Sequence, residues 1–193
     1  MAEPAPLRLR RAPPPVADFD APGLQLTVER ELGMGKVQVL GLDPDARARD
    51  LLDMPVPAHN RQADQAGITL AWMAPGEWLV AGPRGGVADL TARAGAAPDA
   101  LAVDITDGRI AFRVSGADAR DALAAHCPLD LADEQFPVDA VARSMLGDTG
   151  LFIARLPDLA QQPCFRLVLD QTMAAYAARM LSAARPIQEP ARA

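Results

Sequence analysis

Two stretches, read together, decide the fold: Lys36-Val37-Gln38-Val39-Leu40-Gly41-Leu42-Asp43-Pro44-Asp45-Ala46-Arg47 and Arg109-Ile110-Ala111-Phe112-Arg113-Val114-Ser115-Gly116-Ala117-Asp118-Ala119-Arg120. In each, apolar residues alternate as in a half-buried strand, and an Asp-containing turn then opens a helix. A shift of 73 positions lays Lys36 on Arg109, Val37 on Ile110, Val39 on Phe112 and Asp45-Ala46-Arg47 on Asp118-Ala119-Arg120. The same shift carries Pro55 to Pro128, Ile68 to Val141, Trp72 to Met145 and Trp78–Val80 to Leu151–Ile153, without a gap over roughly 46 positions. One such copy cannot bury its own sheet face, so two copies packed together are expected. The fold class is therefore α+β, built from two similar β-rich halves with helices, about 24–100 and 101–184, related by a pseudo-twofold axis.

Working outward, strands are expected at Leu24–Glu29 and Lys36–Leu42, and a helix from Asp43-Pro44 to about Asp53. Residues 55–67 read as a polar loop, followed by a hairpin, Ile68–Met73 and Glu77–Ala81, turning at Ala74-Pro75-Gly76. A short helix near Gly86–Ala94 precedes Leu101–Ile105 and Ile110–Val114, which read as a second hairpin because Asp107-Gly108 is a strong turn signal. A helix over Ala117–His126 ends before Pro128, a third hairpin joins Ala140–Leu146 to Leu151–Arg155, and the strand Phe165–Leu169 leads into a helix over Thr172–Ala184. Residues 1–23, with three arginines and the run Pro13-Pro14-Pro15, read as a flexible N-terminal arm, and 185–193 as a tail.

The 193 residues are 50% hydrophobic and 23% charged, which suits one globular domain. Nineteen basic against 25 acidic residues leave a net charge of −6, and Lys36 is the single lysine. That balance argues against nucleic acid or an anionic membrane as the main partner, since phosphate recognition needs a basic face. No run reaches the roughly 18–20 apolar residues of a membrane helix, and no apolar run follows the N-terminal arginines as a secretory signal requires. Cys127 and Cys164 lack ligand spacing and read as reduced thiols of a cytoplasmic protein.

Candidate chemistry is sparse. His59 and His126 have no partners at zinc-ligand spacing, and the neighbours His126-Cys127 at a helix end point in different directions. Gly33-Met34-Gly35 reads as a loop rather than a dinucleotide fingerprint, and Pro83-Arg84-Gly85-Gly86 lacks the Lys-Ser/Thr of a phosphate loop. Ser115 lacks the flanking glycines of a nucleophile elbow. Asp104 and Asp107 suit a turn, Asp130, Asp133 and Glu134 a solvated cluster, and Trp72 and Trp78 an inward-facing pair rather than a slot for a ring ligand. No catalytic, cofactor-binding or metal-binding residue is assigned.

The stretches Val103-Asp104-Ile105-Thr106-Asp107-Gly108-Arg109, Val114-Ser115-Gly116-Ala117-Asp118-Ala119-Arg120 and Cys127-Pro128-Leu129-Asp130-Leu131 resemble the gamma subunit of heterotetrameric sarcosine oxidase. Trp72-Met73-Ala74-Pro75-Gly76-Glu77-Trp78-Leu79 and the closing strand and helix fit the same family, so that the resemblance covers about residues 24–184. Ser144 stands where the family favours Thr, and Thr172-Met173 where it favours Ser-Phe. The resemblance implies a fold related to the folate-binding domain of aminomethyltransferases. It also implies a chain that holds no cofactor, in a complex whose other subunits hold FAD, FMN, NAD, zinc and tetrahydrofolate. The expected partners are alpha, beta and delta subunits, mainly alpha, and the expected role is assembly, with Met173, Tyr176 and Met180 of the last helix suited equally to partner contact and to core packing. Two other readings follow from the same resemblance: a subunit of a related N-methylglutamate dehydrogenase, and a free-standing folate-binding protein using Asp104 or Glu77 to grip the pterin.

Overall fold

The computed structural model describes residues 16–184. In chain order these form β1 (Phe19–Ala21), β2 (Leu24–Val28), β3 (Leu32–Val39), α1 (Pro44–Leu52), β4 (Gln62–Gln65), β5 (Ile68–Ala74), β6 (Glu77–Pro83) and α2 (Arg84–Gly95). There follow β7 (Ala100–Asp104), β8 (Arg109–Ser115), α3 (Ala119–Ala124), β9 (Val141–Leu146), β10 (Thr149–Leu159), β11 (Gln162–Asp170), a single 3₁₀ turn and α4 (Ala174–Ala183). All neighbouring strands are antiparallel, and they make a six-stranded sheet, β1-β2-β8-β11-β10-β9, and a five-stranded sheet, β4-β5-β6-β3-β7.

The two sheets pack face to face with the helices outside. Val37, Val39, Trp78 and Val80 of the five-stranded sheet bury against Ala48 and Leu52 of α1 and Val87, Leu90 and Ala94 of α2. Leu26, Phe112, Ile153 and Phe165 of the six-stranded sheet bury against Leu123 of α3 and Ala177 and Leu181 of α4. Between the sheets lie Met34, Ala71 and Leu79 from one side and Ala111, Phe152 and Val168 from the other. Because strand side chains alternate, each sheet feeds both a helix-facing and a sheet-facing core. Among the described residues no helix is long and apolar enough to cross a membrane.

The duplication is written in the topology. Outward from corresponding positions the five-stranded sheet runs β7-β3-β6-β5-β4 and the six-stranded sheet β2-β8-β11-β10-β9, with β1 added beyond β2. Helices α1 and α3 follow β3 and β8, while α2 and α4 follow β6 and β11. The leading strands are exchanged: β2 belongs by sequence to the first half but pairs with β8, and β7 belongs to the second but pairs with β3.

This corrects the sequence expectation in three places. Gly41 (φ +128°) and Gly116 (φ +123°) occupy the same turn, and Asp43 and Asp118 the same N-cap, so the matching shift is 75 rather than 73. A slide of two residues keeps every strand side chain on its own face, which is why alternation alone could not fix the register. Beyond α1 the constant shift fails, since β5 and β6 correspond in position to β10 and β11. Asp107-Gly108 does turn the chain, with Gly108 donating to Ile105, but it passes from one sheet to the other and β7 and β8 do not pair. Finally, the polar loop 55–67 contains β4, and the fold begins before residue 24: Val16 is buried and β1 pairs with β2. The rest of the expected arm, 1–15, and the tail, 185–193, lie outside the described residues.

Candidate functional site

The glycines Gly33 and Gly35 sit within β3 and not in a loop. A Cβ on Gly33 would lie 2.7 Å from the Arg84 Cα, and one on Gly35 2.4 Å from the Thr91 methyl, so the missing side chains admit α2 against the strand. Arg84 opens α2 but turns back, donating to the Arg30 carbonyl at 2.8 Å and pairing with Asp107 at 3.8 Å. Ser115 is buried in β8. Asp104 accepts from the Thr106 N–H at 2.8 Å, and the hydrogen bonds from Thr106 hold its carboxyl below the usual range.

Both tryptophans face the α1–α2 side as a directly opposed cross-strand pair, with Trp78 fully buried and Trp72 half-buried against the His59 ring at 5.3 Å. Cys127 and Cys164 are buried and unpaired as a disulfide, the Cys127 thiol lies 3.7 Å from the Ser144 hydroxyl, and burial pushes the Cys164 thiol up from its ordinary pKa. His126 and Cys127 do not form a nucleophile–base pair, since that hydroxyl is the thiol's hydrogen-bond partner and the His126 Nε2 is buried without one. Asp133 is not merely solvated: it joins Arg120, whose Nε donates to the Leu131 carbonyl at 3.0 Å, and lies 3.5 Å from the buried Arg155. These contacts tie the 128–140 segment to α3 and β10. Among the described residues no group of three or more His, Cys, Asp or Glu converges as metal ligands would.

One polar cluster carries no sequence signal. Glu29, just after β2, accepts from Arg166 of β11 through both oxygens (2.5 and 3.1 Å) and from Arg113 of β8 at 2.6 Å. Burial alone would raise the Glu29 pKa, but the hydrogen bonds and charges of Arg166, and then of Arg113, outweigh it and hold the carboxyl below its ordinary value. Exchange of β2 into the six-stranded sheet is what brings these three residues together.

A cleft of about 740 Å³ is walled by residues of both sheets and of the β7–β8 linker, among them Met73, Leu79, Ile105, Met145 and Phe152. Its charged rim includes Arg109, already paired with Asp170 at 2.8 Å. Beside it the inner face of the five-stranded sheet is uncovered along β7 and the end of β3: Leu40, Leu101 and Val103 are 49%, 59% and 58% exposed. Lys36 and Glu77 pair across this face at 3.0 Å. With Glu77 held by Lys36 and Asp104 by Thr106, both carboxylates proposed to grip a pterin are committed to other partners. The apolar residues of α4 and of the turn before it face inward: Tyr176 Oη accepts from the Asp148 N–H at 3.2 Å, Met180 crowds Gly147, and Met173 packs against the main core.

A duplicated α+β domain with exchanged leading strands, back-to-back sheets and outer helices has counterparts among solved structures. A chain of the heterotetrameric sarcosine oxidase from Corynebacterium sp. U-96, solved with pyrrole 2-carboxylate, matches with a TM-score of 0.72 and 19% identity over 83% of each chain. The glycine cleavage system aminomethyltransferase T from Bartonella henselae matches with a TM-score of 0.62 and 15% identity, over 83% of this chain and 45% of that one. The class is thus the aminomethyltransferase-like fold. Residues 45–185 match the model of the sarcosine oxidase, gamma subunit family, and the chain belongs to that family. No curated protein sequence matches the chain.

Proposed function

We propose that this chain is the gamma subunit of a heterotetrameric sarcosine oxidase and that it acts in assembly rather than in chemistry. The match of residues 45–185 to the gamma-subunit family carries the reading. It is supported by the commitment of the chain's polar groups: Glu29, Arg109 and Glu77 are each tied into ion pairs between strands, and Asp133 into one that ties the 128–140 segment to α3. The partners in this reading are the alpha, beta and delta subunits, chiefly alpha, in the cytoplasm. They carry FAD, FMN, NAD, zinc and the tetrahydrofolate site. The complex oxidises sarcosine to glycine, passes the one-carbon unit to tetrahydrofolate or releases it as formaldehyde, and reduces oxygen to hydrogen peroxide.

Co-expression with the other three subunits tests this. The expected result is one yellow particle whose light-scattering mass equals the sum of four chains and which oxidises sarcosine. A stable yellow particle of the other three chains that oxidises sarcosine without this one would overturn the proposal, as would oxidation of N-methylglutamate in preference to sarcosine.

A further inference from the structure

We propose that the free edge of β7 receives an extended strand from another subunit of the complex, so that the five-stranded sheet continues across the interface. The inference rests on the assembly reading above and names the surface that would serve it.

The first argument is the edge itself. The Leu40 N–H donates to the Asp99 carbonyl at 2.8 Å and the Ile105 N–H to the Met34 carbonyl at 2.9 Å. These bonds fix the phase of the β3–β7 ladder: Leu101 and Val103 point their backbone groups at β3, and Ala102 and Asp104 point theirs away from it. Among the described residues β7 has no second neighbour.

The second is what guards the other edges. β4 is a four-residue Gln-Ala-Asp-Gln strand, β9 carries Arg143, and β1 has three residues with an Asp in the middle. Short, polar or charged strands of this kind discourage pairing. In β7 the single charge, Asp104, stands at the end of the strand, Ala100-Leu101-Ala102-Val103 is wholly apolar, and Leu101 and Val103 stand exposed on the face that continues to Leu40.

The third argument says what fits. In the other half of the molecule the counterpart of β7 is β2, and its outer edge is occupied by an antiparallel strand, β1, with Phe19 opposite Leu26. The fold has built this augmentation once from its own chain and left the equivalent position bare. A partner strand with apolar side chains at alternate positions would pair with Ala102 and Asp104 and cover Leu101 and Val103.

Hydrogen exchange of residues 99–105, measured in the isolated chain and in the four-subunit complex, is the test. Ala102→Pro removes an outward N–H that the β3 ladder does not use. Leu101→Lys/Val103→Lys is a second variant that leaves the backbone intact. The expected result is fast exchange of the Ala102 amide in the isolated chain and at least 10-fold slowing in the complex. Both variants should keep the far-UV circular dichroism of the parent and bind the other subunits at least 10-fold more weakly. Equal exchange in both states would overturn the proposal. Protection already present in the isolated chain would also overturn it, concentration-independent protection pointing to residues 1–15 and concentration-dependent protection to a second copy. A complex that never forms with the parent chain would refute the assembly reading itself, whereas one that forms with β7 unprotected would refute only this inference.

Discussion

Glu29 sits between two arginines on neighbouring strands, and its carboxylate is ion-paired with both. Replacing it with glutamine leaves two cations against each other with poor compensation. Glu29→Gln should therefore cost about 3 kcal/mol in urea unfolding at pH 7, near the lower end for a broken buried pair because Arg113 keeps some solvent contact. The pH dependence follows from the depressed folded pKa. The contribution is complete above the ordinary glutamate value, about 4.3, and disappears as pH falls through the lower folded value. The gap between parent and variant should accordingly be full at pH 7 and close at acid pH. A gap that stays constant down to pH 3 would contradict the ion-pair account. No spacing rule points to this cluster, because Glu29 and Arg166 are 137 positions apart and meet only through β2, β8 and β11. The glycines of the two repeated turns make a second residue-scale case. Both adopt a positive φ, but a Cβ on Gly116 would lie 2.2 Å from the Gly23 carbonyl oxygen, whereas one on Gly41 meets nothing within 4 Å. Gly41→Ala should cost about 1–2 kcal/mol from backbone strain alone. Gly116→Ala should cost about 2 kcal/mol more through the clash, so equal urea midpoints for the two variants would refute the distinction.

At the scale of elements, helix starts are well marked by chemistry and strand partners are not. Asp43 accepts from the Ala46 N–H at 3.1 Å and Pro44 occupies the first turn, as the Asp43-Pro44-Asp45 signal implies. Asp43→Ala should lower stability by about 1 kcal/mol in urea unfolding, while Asp118→Ala should cost less as a cap, because the Asp118 side chain makes no capping bond. Alternation likewise placed nine of the eleven described strands close to their positions, all but β4 and the three-residue β1, which are too short to show a period. Pairing is a different matter, since a turn signal records only that the chain reverses. Asp107-Gly108 has the chemistry of a hairpin and connects two sheets, since β7 finds β3 and β8 finds β2 and β11, partners distant in sequence. The bare edge of β7 was equally illegible: it follows from which strand lies beyond it, and nothing in Ala100–Asp104 records that.

For the whole molecule the exchange of leading strands has a mechanical consequence. Without β7 the five-stranded sheet loses an outer strand and Ala100 from its helix-facing core, and without β2 the six-stranded sheet loses Leu24, Leu26 and Val28 from its own. Each strand is joined to its neighbour in the other sheet by a linker of only a few residues, Glu29–Glu31 and Ile105–Gly108, and the Thr106 hydroxyl and the Met34 backbone are hydrogen-bonded across that join. Neither sheet can be dismantled without pulling a strand from the other, so the two halves should unfold as one unit. The chain reports on this directly. Its two tryptophans, Trp72 and Trp78, both lie in the five-stranded sheet, so that fluorescence follows that half alone, while far-UV circular dichroism follows all eleven strands. Coincident urea midpoints and slopes by the two probes are the expected outcome. A fluorescence transition separated from the dichroism transition would mean that one sheet outlives the other. The repeated halves would then be autonomous units joined by a strand swap, and a rigid edge at β7 could not be assumed in the free chain.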